Sequence, residues 1–169
     1  TVGIRMPDHP VATALLHAHN GPIAAPSANR FGHISPTTAD HVKDEFGPLI
    51  DQTLLILDGG PCRVGVESTI VDLSGSVPAL LRPGAISSQE LIEITGPMGT
   101  SSTPAPGTLN SHYAPRTALL LSRDPESEAA RRRAKGHRVA TLIADEVPGD
   151  YARRLYAELR RLDAQGFDL

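Results

Sequence analysis

Hydroxyl, amide and guanidinium side chains gather in a few short stretches of this 169-residue chain, and the first is APSANRFGHISPTT. Ser27, Asn29 and Ser35 lie here between the apolar GPIA and the helix-like ADHVKDEF. A plain connection needs only about two to six residues, and open α/β sheets bind ligands in loops at the carboxyl ends of strands. A helix N-terminus adds free N–H groups that favour phosphate. The stretch predicts an anion site, unless Ser35 only caps the helix and Asn29 only fixes a turn.

A glycine-rich stretch, GGPCRVGVESTIVD at residues 59–72, is the second candidate. Its glycines permit close approach of the backbone to a ligand, and Ser68 and Thr69 stand where the next strand begins. The stretch has neither the lysine nor the spacing of a P-loop, so alone it is a weak signal for a phosphate cradle. Glu67 could be an acid or a metal contact, although one carboxylate between Val and Ser is usually structural.

Two arginines close predicted strands, Arg5 at the end of TVGIR and Arg82 within LLRPG. A guanidinium at a strand end suits the geometry of phosphate, and the alternative is an ordinary ion pair. Small hydroxyls combined with arginine fit a nucleotide better than a nucleophile-based hydrolase. The residues expected to form this anion site are Ser27, Ser35, Ser68 and Arg82.

The seven histidines do not predict a metal site. His9, His17 and His19 are close in sequence, but no carboxylate or cysteine completes a set at zinc-type spacing. We expect structural or solvated roles for them. His112 differs because it begins HYAP, an unusual element for a spacer, and this pair of His and Tyr before Ala-Pro is expected to bind something specific.

A predicted α/β unit over residues 1–95 positions these stretches. Apolar runs bounded by glycine or proline predict strands, and capped segments predict helices. Helices are expected from Asp8, from Ser35 as N-cap through Phe46, and in SSQELIEIT. The predicted strands are TVGIR, GPIAAPS and TLLILDGG, followed by STIVDL and PALLRPG, which the SGSV turn joins into a hairpin.

The rest of the chain changes character twice. Residues 96–116 contain GPMGTSSTPAPGTLNSHYAP, a linker rich in Pro, Gly and Ser that favours extended structure. Residues 117–169 then read TALLLS as strand, PESEAARRRAKG as helix, RVATLIA as strand and GDYARRLYAELRRLDAQG as helix. This alternation predicts the beginning of a parallel, Rossmann-like sheet.

Composition and charge exclude some function classes. The net charge is −3, and residues 1–115 carry five Lys/Arg against ten Asp/Glu. That balance lacks the basic surplus of a dedicated nucleic-acid binder. The single Cys62 excludes an internal disulfide and indicates a reducing compartment. With no apolar run near the roughly 20 residues of a membrane span and no leader pattern, the expected location is the cytoplasm. The chain begins without Met in TVGIRM and stops at GFDL, and we expect it to be a fragment.

Five motifs in order resemble those of the threonylcarbamoyl-AMP synthases of the YrdC-like family, in the two-domain form. They are VGIRMPDHP, APSANRFGHISPTT, LDGGPCRVGVESTIVDL, LLRPGAIS and PAPGTLNSHYAP, and the resemblance covers essentially the whole chain. It implies a YrdC-like twisted mixed sheet with helices, a linker, and a Rossmann-like C-terminal domain. The family's catalytic domain begins well before TVGIR, so the resemblance also implies that half of that domain is missing here.

The resemblance implies synthesis of L-threonylcarbamoyladenylate and pyrophosphate from L-threonine, bicarbonate and ATP. The product would pass to the machinery that makes N6-threonylcarbamoyladenosine at position 37 of tRNA. Mg²⁺ would bridge the phosphates, and catalysis would consist mostly of positioning and charge stabilisation. By resemblance, ATP contacts fall on Thr1, Ser27, Ser35, Arg82 and Tyr113, threonine contacts on Arg5 and Ser68, and supporting roles on Asn29 and Thr69.

Two alternatives remain open at this stage. One is a module that binds nucleic acid, such as double-stranded RNA or tRNA, against which the acidic balance of residues 1–115 argues. The other is a nucleotide-binding protein without turnover, which would bind ATP but show no threonine-dependent reaction.

Overall fold

The protein is seen in a computed structural model that describes residues 1–50, 53–107, 113–144 and 146–169. Five helices and one two-stranded antiparallel sheet are formed within these ranges, which confirms the α/β class. The elements in chain order are α1 (Pro10–His19), α2 (Ala39–Phe46), a 3₁₀ turn (Gly47–Leu49), β1 (Ile70–Asp72), β2 (Ala79–Arg82), α3 (Ser88–Thr95), α4 (Pro125–Arg133) and α5 (Pro148–Ala164).

The predicted hairpin is confirmed. β1 pairs antiparallel with β2, with Val71 opposite Leu80 and Asp72 opposite Ala79. Asp72 also fastens the start of the linker, because its carboxylate accepts hydrogen bonds from Ser101 Oγ at 2.5 Å and Thr103 Oγ1 at 2.7 Å. These bonds hold the pKa of Asp72 well below its usual range. The linker therefore leaves the hairpin along a defined path.

The start of α2 differs from the prediction. Thr38, not Ser35, is the N-cap, since Thr38 Oγ1 accepts from the His41 N–H at 3.2 Å and the helix begins at Ala39. The Ser35 hydroxyl is bonded to Glu67 instead. The serine–proline pair and the threonine offered competing caps, and a contact distant in sequence decided between them.

The helix predicted from Asp8 begins at Pro10. Asp8 does not cap it, because its carboxylate pairs with Arg63 Nη2 at 2.9 Å. The helix in SSQELIEIT begins as predicted with a full capping box between Ser87 and Glu90. Both helices predicted in the C-terminal segment are present as α4 and α5.

The other predicted strands are wrong for the described residues. TVGIR, GPIAAPS, TLLILDGG, TALLLS and RVATLIA run without a strand assignment, so no parallel Rossmann-like sheet forms within the described parts of residues 117–169. An apolar run becomes a strand only where a neighbouring segment pairs with its backbone. Ile4 is 89% exposed and Leu121 is 90% exposed, so these segments lack a covering layer.

The hydrophobic core is correspondingly thin. The buried apolar side chains are small groups beside the hairpin and the two C-terminal helices: Ile34, Ala79, Ala129, Val139 and Leu159. The accessible surface is 12087 Å², whereas a compact monomer of 17.9 kDa exposes about 8,000 Å². The chain is therefore open, and much of its order comes from hydrogen bonds between loops and helices.

Candidate functional site

A cavity of about 330 Å³ lies where the first polar stretch runs into α2. It gathers three of the predicted site residues, Arg5, Ser27 and Ser35. Thr37 and Thr38 extend this lining to the start of the helix, and Asp58 to Gly60 also line the cavity. The arrangement combines a guanidinium, several hydroxyls and a helix N-terminus around one space.

The start of α2 makes this cavity favourable for an anion. The first N–H groups of a helix have no intrahelical partner and carry a partial positive charge. The Thr38 side chain accepts from the His41 N–H. Asp40 in the first turn is paired with Lys43 Nζ at 2.8 Å, and this lysine holds the pKa of Asp40 below its usual value. The charge of Asp40 is therefore balanced within the helix.

Ser35 joins the cavity to the second polar stretch. Its Oγ donates to Glu67 Oε1 at 2.6 Å, and the other carboxylate oxygen of Glu67 accepts from the Tyr156 hydroxyl at 2.5 Å. Tyr156 belongs to α5, nearly ninety positions later in the chain. A residue of the C-terminal segment is thereby bonded to the group that holds a cavity serine.

A second cluster contains Ser68, Arg82 and Tyr113, and none of these three is among the residues that line the cavity. The guanidinium of Arg82 is engaged by the protein itself: Nε donates to Ser68 O at 3.0 Å and Nη1 to Pro106 O at 2.7 Å. Its Nη2 lies 3.4 Å from Ser68 Oγ. In this structure Arg82 fastens the linker to the hairpin, whereas it was predicted to contact ATP.

The linker reaches this cluster through a position that requires glycine. Gly107 has φ of +90°, and a Cβ there would lie 3.1 Å from Arg82 Nη1 and 3.2 Å from the Tyr113 ring. The Tyr113 ring centroid lies 6.4 Å from that of Tyr156. Ala114 N–H then donates to Gly32 O at 3.0 Å, which joins the end of the linker to the first polar stretch. His112 of the HYAP motif lies outside the described residues.

The remaining predicted residues have local contacts. Asn29 Nδ2 donates to Arg30 O at 3.0 Å and to His33 O at 3.1 Å, so it spans the turn of its own loop. Thr69 Oγ1 donates to Ile86 O at 2.9 Å and accepts from Ile86 N at 3.1 Å, a pairing that joins two loops. Thr1 is exposed and does not line the cavity.

Helix α5 contacts these loops with one face. Arg153, Tyr156 and Arg160 follow each other at three- and four-residue spacing, which places them on the same side of the helix. Arg153 Nε donates to Arg63 O at 3.1 Å. The backbones approach closely because Gly65, at φ of +83°, has no Cβ that would collide with the Arg153 carbonyl. The Arg160 guanidinium donates to Ile34 O beside Ser35.

A larger cavity of about 400 Å³ lies between α2 and α5 and contains none of the predicted site residues. One of its lining residues is Glu45, whose carboxylate receives Arg160 Nη2 at 3.2 Å, His33 Nδ1 at 2.7 Å and the Arg30 N–H at 2.9 Å. Burial opposes ionisation of this carboxyl, but the three hydrogen bonds outweigh it and hold the pKa of Glu45 below its usual value. These bonds connect α2 to α5. We call this cluster, formed by Glu45, Arg160, His33 and Arg30, the joint between α2 and α5.

The sequence analysis did not identify Tyr156, and it left Glu67 open between a structural role and that of an acid or a metal contact. The signal for Glu67 was its place beside Ser68 in a polar stretch, but its partners cannot be identified from spacing. Tyr156 carried no signal, because an aromatic residue on an amphipathic helix usually belongs to a core. In the described residues, no group of three or more His, Cys, Asp or Glu side chains could hold a metal ion. Among the same residues, no helix is long and apolar enough to cross a membrane.

Two family models together match every residue of the chain. Residues 1–84 match the Sua5_yciO_yrdC model, described as "Telomere recombination". Residues 85–169 match the Sua5_C model, described as "Threonylcarbamoyl-AMP synthase, C-terminal domain". The two matches meet between residues 84 and 85, whereas the boundaries at 95 and 116 stay predictions from composition.

Known proteins resemble the chain in both sequence and fold. The threonylcarbamoyl-AMP synthase of Pyrococcus abyssi is 36% identical over the whole chain and 57% of that relative. The synthase of Bacillus subtilis is 38% identical over 90% of the chain and 46% of that relative. A crystal structure of P. abyssi Sua5 complexed with L-threonine superimposes with a TM-score of 0.81 at 33% identity, over 97% of this chain and 56% of that one. The chain thus spans about half the length of these relatives, and it belongs to the Sua5/YrdC family.

Proposed function

We propose that the chain takes part in L-threonylcarbamoyladenylate synthesis, with the cavity at the start of α2 holding substrate. The observation that carries the proposal is the convergence of Arg5, Ser27 and Ser35 on one cavity at a helix N-terminus. A guanidinium suits the carboxylate of threonine, and hydroxyls with helix N–H groups suit a nucleotide. The family membership and the relative crystallised with L-threonine support this assignment.

In the proposed reaction, the amine of threonine adds to carbon dioxide derived from bicarbonate and releases one proton to solvent, which leaves a carbamate. The resulting carbamate oxygen attacks the α-phosphorus of ATP, a P–O bond forms, and pyrophosphate leaves with the electron pair of the bond that breaks. The chain's own contribution is to hold the reactants in line and to stabilise charge. We assign no cavity side chain as an acid or base.

Magnesium would enter as part of the Mg·ATP substrate. Mg²⁺ is commonly held by one or two carboxylates together with substrate phosphates, and Asp58 is the carboxylate among the described residues that line the cavity. Its Oδ1 accepts from the Gly60 N–H at 2.9 Å, which orients the group. We further propose that the product serves tRNA threonylcarbamoylation in the cytoplasm.

The test is pyrophosphate release from Mg·ATP, with L-threonine and bicarbonate each added or withheld. Release that requires both substrates, and that falls at least tenfold in Ser35→Ala, supports the proposal. The matched control is Ser74→Ala, because Ser74 is exposed and bonds only within its turn at Asp72. Release that is independent of threonine contradicts the proposal. ATP binding without release favours a nucleotide-binding role, and a binding constant for tRNA that falls steeply with salt favours the RNA-binding alternative.

A further inference from the structure

Glu67 commits the only proton of the Ser35 hydroxyl. A carboxylate can only accept hydrogen bonds, so both hydroxyls bonded to Glu67 must donate to it. Ser35 Oγ is 2.6 Å from one carboxylate oxygen and Tyr156 Oη is 2.5 Å from the other. A serine hydroxyl has one proton and two lone pairs. With the proton directed to Glu67, Ser35 presents only lone pairs to the cavity that it lines.

Tyr156 is held in place to support this arrangement. Burial raises the pKa of its phenol, and the hydrogen bond and charge of Glu67 raise it further, together with nearby Tyr113, whereas Arg82 opposes the change. The phenol therefore keeps its proton, and remains a donor to Glu67, to a higher pH than an ordinary tyrosine. The close approach of α5 at Gly65 places the backbone of this helix against the stretch that carries Glu67.

We propose that Tyr156 and Glu67 are positioning residues that fix Ser35 as a hydrogen-bond acceptor toward the ligand. Ser35 then selects a donor group of the bound nucleotide, such as a ribose hydroxyl or an amine, and does not bind a phosphate oxygen. This inference rests on the proposed function for the nature of the ligand. It also gives the C-terminal helix an indirect part in ligand recognition, through Glu67 and Ser35, at a cavity that it does not line.

The binding test compares two probes, Mg·ATP and magnesium triphosphate, by calorimetry on the 169-residue chain. Triphosphate offers oxygen acceptors but no ribose or amine donors. Tyr156→Phe is expected to weaken Mg·ATP binding by about 3- to 10-fold, and Ser35→Ala by about tenfold, in line with the loss of one hydrogen bond. Both variants should leave triphosphate affinity within about twofold of wild type. Equal losses for both probes would overturn the acceptor role.

Two further variants sharpen this comparison. Glu67→Gln keeps the shape but lets the amide donate to Ser35 Oγ, which frees the serine proton to face the cavity. This variant should lose Mg·ATP affinity and gain triphosphate affinity, and a loss for both probes counts against the proposal. Tyr151→Phe is the matched control, because Tyr151 lies on the same helix and has no hydrogen bond from its hydroxyl to a described residue. It should bind both probes as wild type does.

A titration of tyrosine absorbance tests the contact without any ligand. The chain has three tyrosines, and the component with the highest pKa should disappear in Tyr156→Phe and move to lower pH in Glu67→Gln. Persistence of that component in Tyr156→Phe overturns the contact. A chain that binds neither probe contradicts the proposed function and the acceptor role together, while the titration still decides whether Tyr156 is bonded to Glu67.

Discussion

Two clusters of polar side chains are predicted from similar sequence patterns, but their side chains make different contacts in the structure. Around the start of α2, Arg5, Ser27 and Ser35 face a common cavity. At the end of the hairpin, the Arg82 guanidinium is taken up by Ser68 and by the linker carbonyl of Pro106. The chemistry of the side chains is alike in both places. For the two arginines, what differs is whether acceptors of the protein itself engage the guanidinium: Arg82 is bonded to Ser68 and Pro106, whereas Arg5 has no hydrogen bond to a described residue and lines the cavity.

The largest expected effect tests the close approach that brings α5 to both clusters. Gly65→Ala places a Cβ about 2.3 Å from the Arg153 carbonyl, in a left-handed backbone conformation. We expect a loss of about 1–2 kcal/mol from the conformation and about 2 kcal/mol more from the collision, measured by urea unfolding.

The matched control is Gly60→Ala. Gly60 has the same φ of +83° but nothing within 4 Å of an added Cβ, so only the conformational cost of about 1–2 kcal/mol applies. Equal losses in the two variants would show that α5 does not pack on this glycine in solution.

Substitutions of the two arginines should affect different properties: Arg82→Ala the stability of the fold, and Arg5→Ala the binding of L-threonine. Arg82→Ala removes three hydrogen bonds of a charged donor and should lower the free energy of unfolding by roughly 1.5–3 kcal/mol. It should also expose the linker near Pro106 to limited proteolysis. Arg5→Ala, at an exposed position, should change unfolding by less than about 0.5 kcal/mol while weakening binding of L-threonine. Lower stability in Arg5→Ala together with weaker L-threonine binding in Arg82→Ala would contradict the roles assigned to the two clusters.

A smaller effect concerns the joint between α2 and α5. Glu45 has a side chain only 7% exposed and a pKa held below its ordinary value of 4.5. A carboxyl whose pKa is lowered by folding contributes stability above its unfolded pKa and loses that contribution as pH falls through its folded value. Wild type should therefore lose more stability than Glu45→Gln as pH drops below 4.5, measured as the urea midpoint at each pH. If the urea midpoints of wild type and Glu45→Gln fell in parallel with pH, the role of Glu45 in holding α2 to α5 would be contradicted.

The sequence allowed the local elements to be predicted better than their partners. The hairpin and the capping box of α3 depend on residues near each other in the chain, and both are present. TVGIR and TALLLS have strand-like composition, but pairing requires a neighbouring segment that composition does not specify. The prediction of Ser35 as the N-cap of α2 was wrong for the same reason, because the Ser35 hydroxyl is bonded to a partner 32 residues away.

The candidate site shows the same limit. The cavity residues were predicted because hydroxyls and an arginine were clustered at expected loop positions. The contact of Tyr156 with Glu67 spans 89 residues, and no spacing rule reaches that far. The engagement of Arg82 by Pro106 was equally hidden, because any backbone carbonyl can accept from a guanidinium.

The labelling rate of Cys62 with and without Mg·ATP tests directly whether the cavity at the start of α2 binds the nucleotide. Cys62 is the single cysteine of the chain and lines the cavity at the start of α2. Burial raises the pKa of its thiol, so labelling is best followed at mildly alkaline pH. If the nucleotide binds in this cavity, saturating Mg·ATP should slow labelling several-fold in wild type. An unchanged labelling rate, at a concentration that calorimetry shows to be saturating, would place the nucleotide outside this cavity. It would contradict the proposal that the cavity holds substrate.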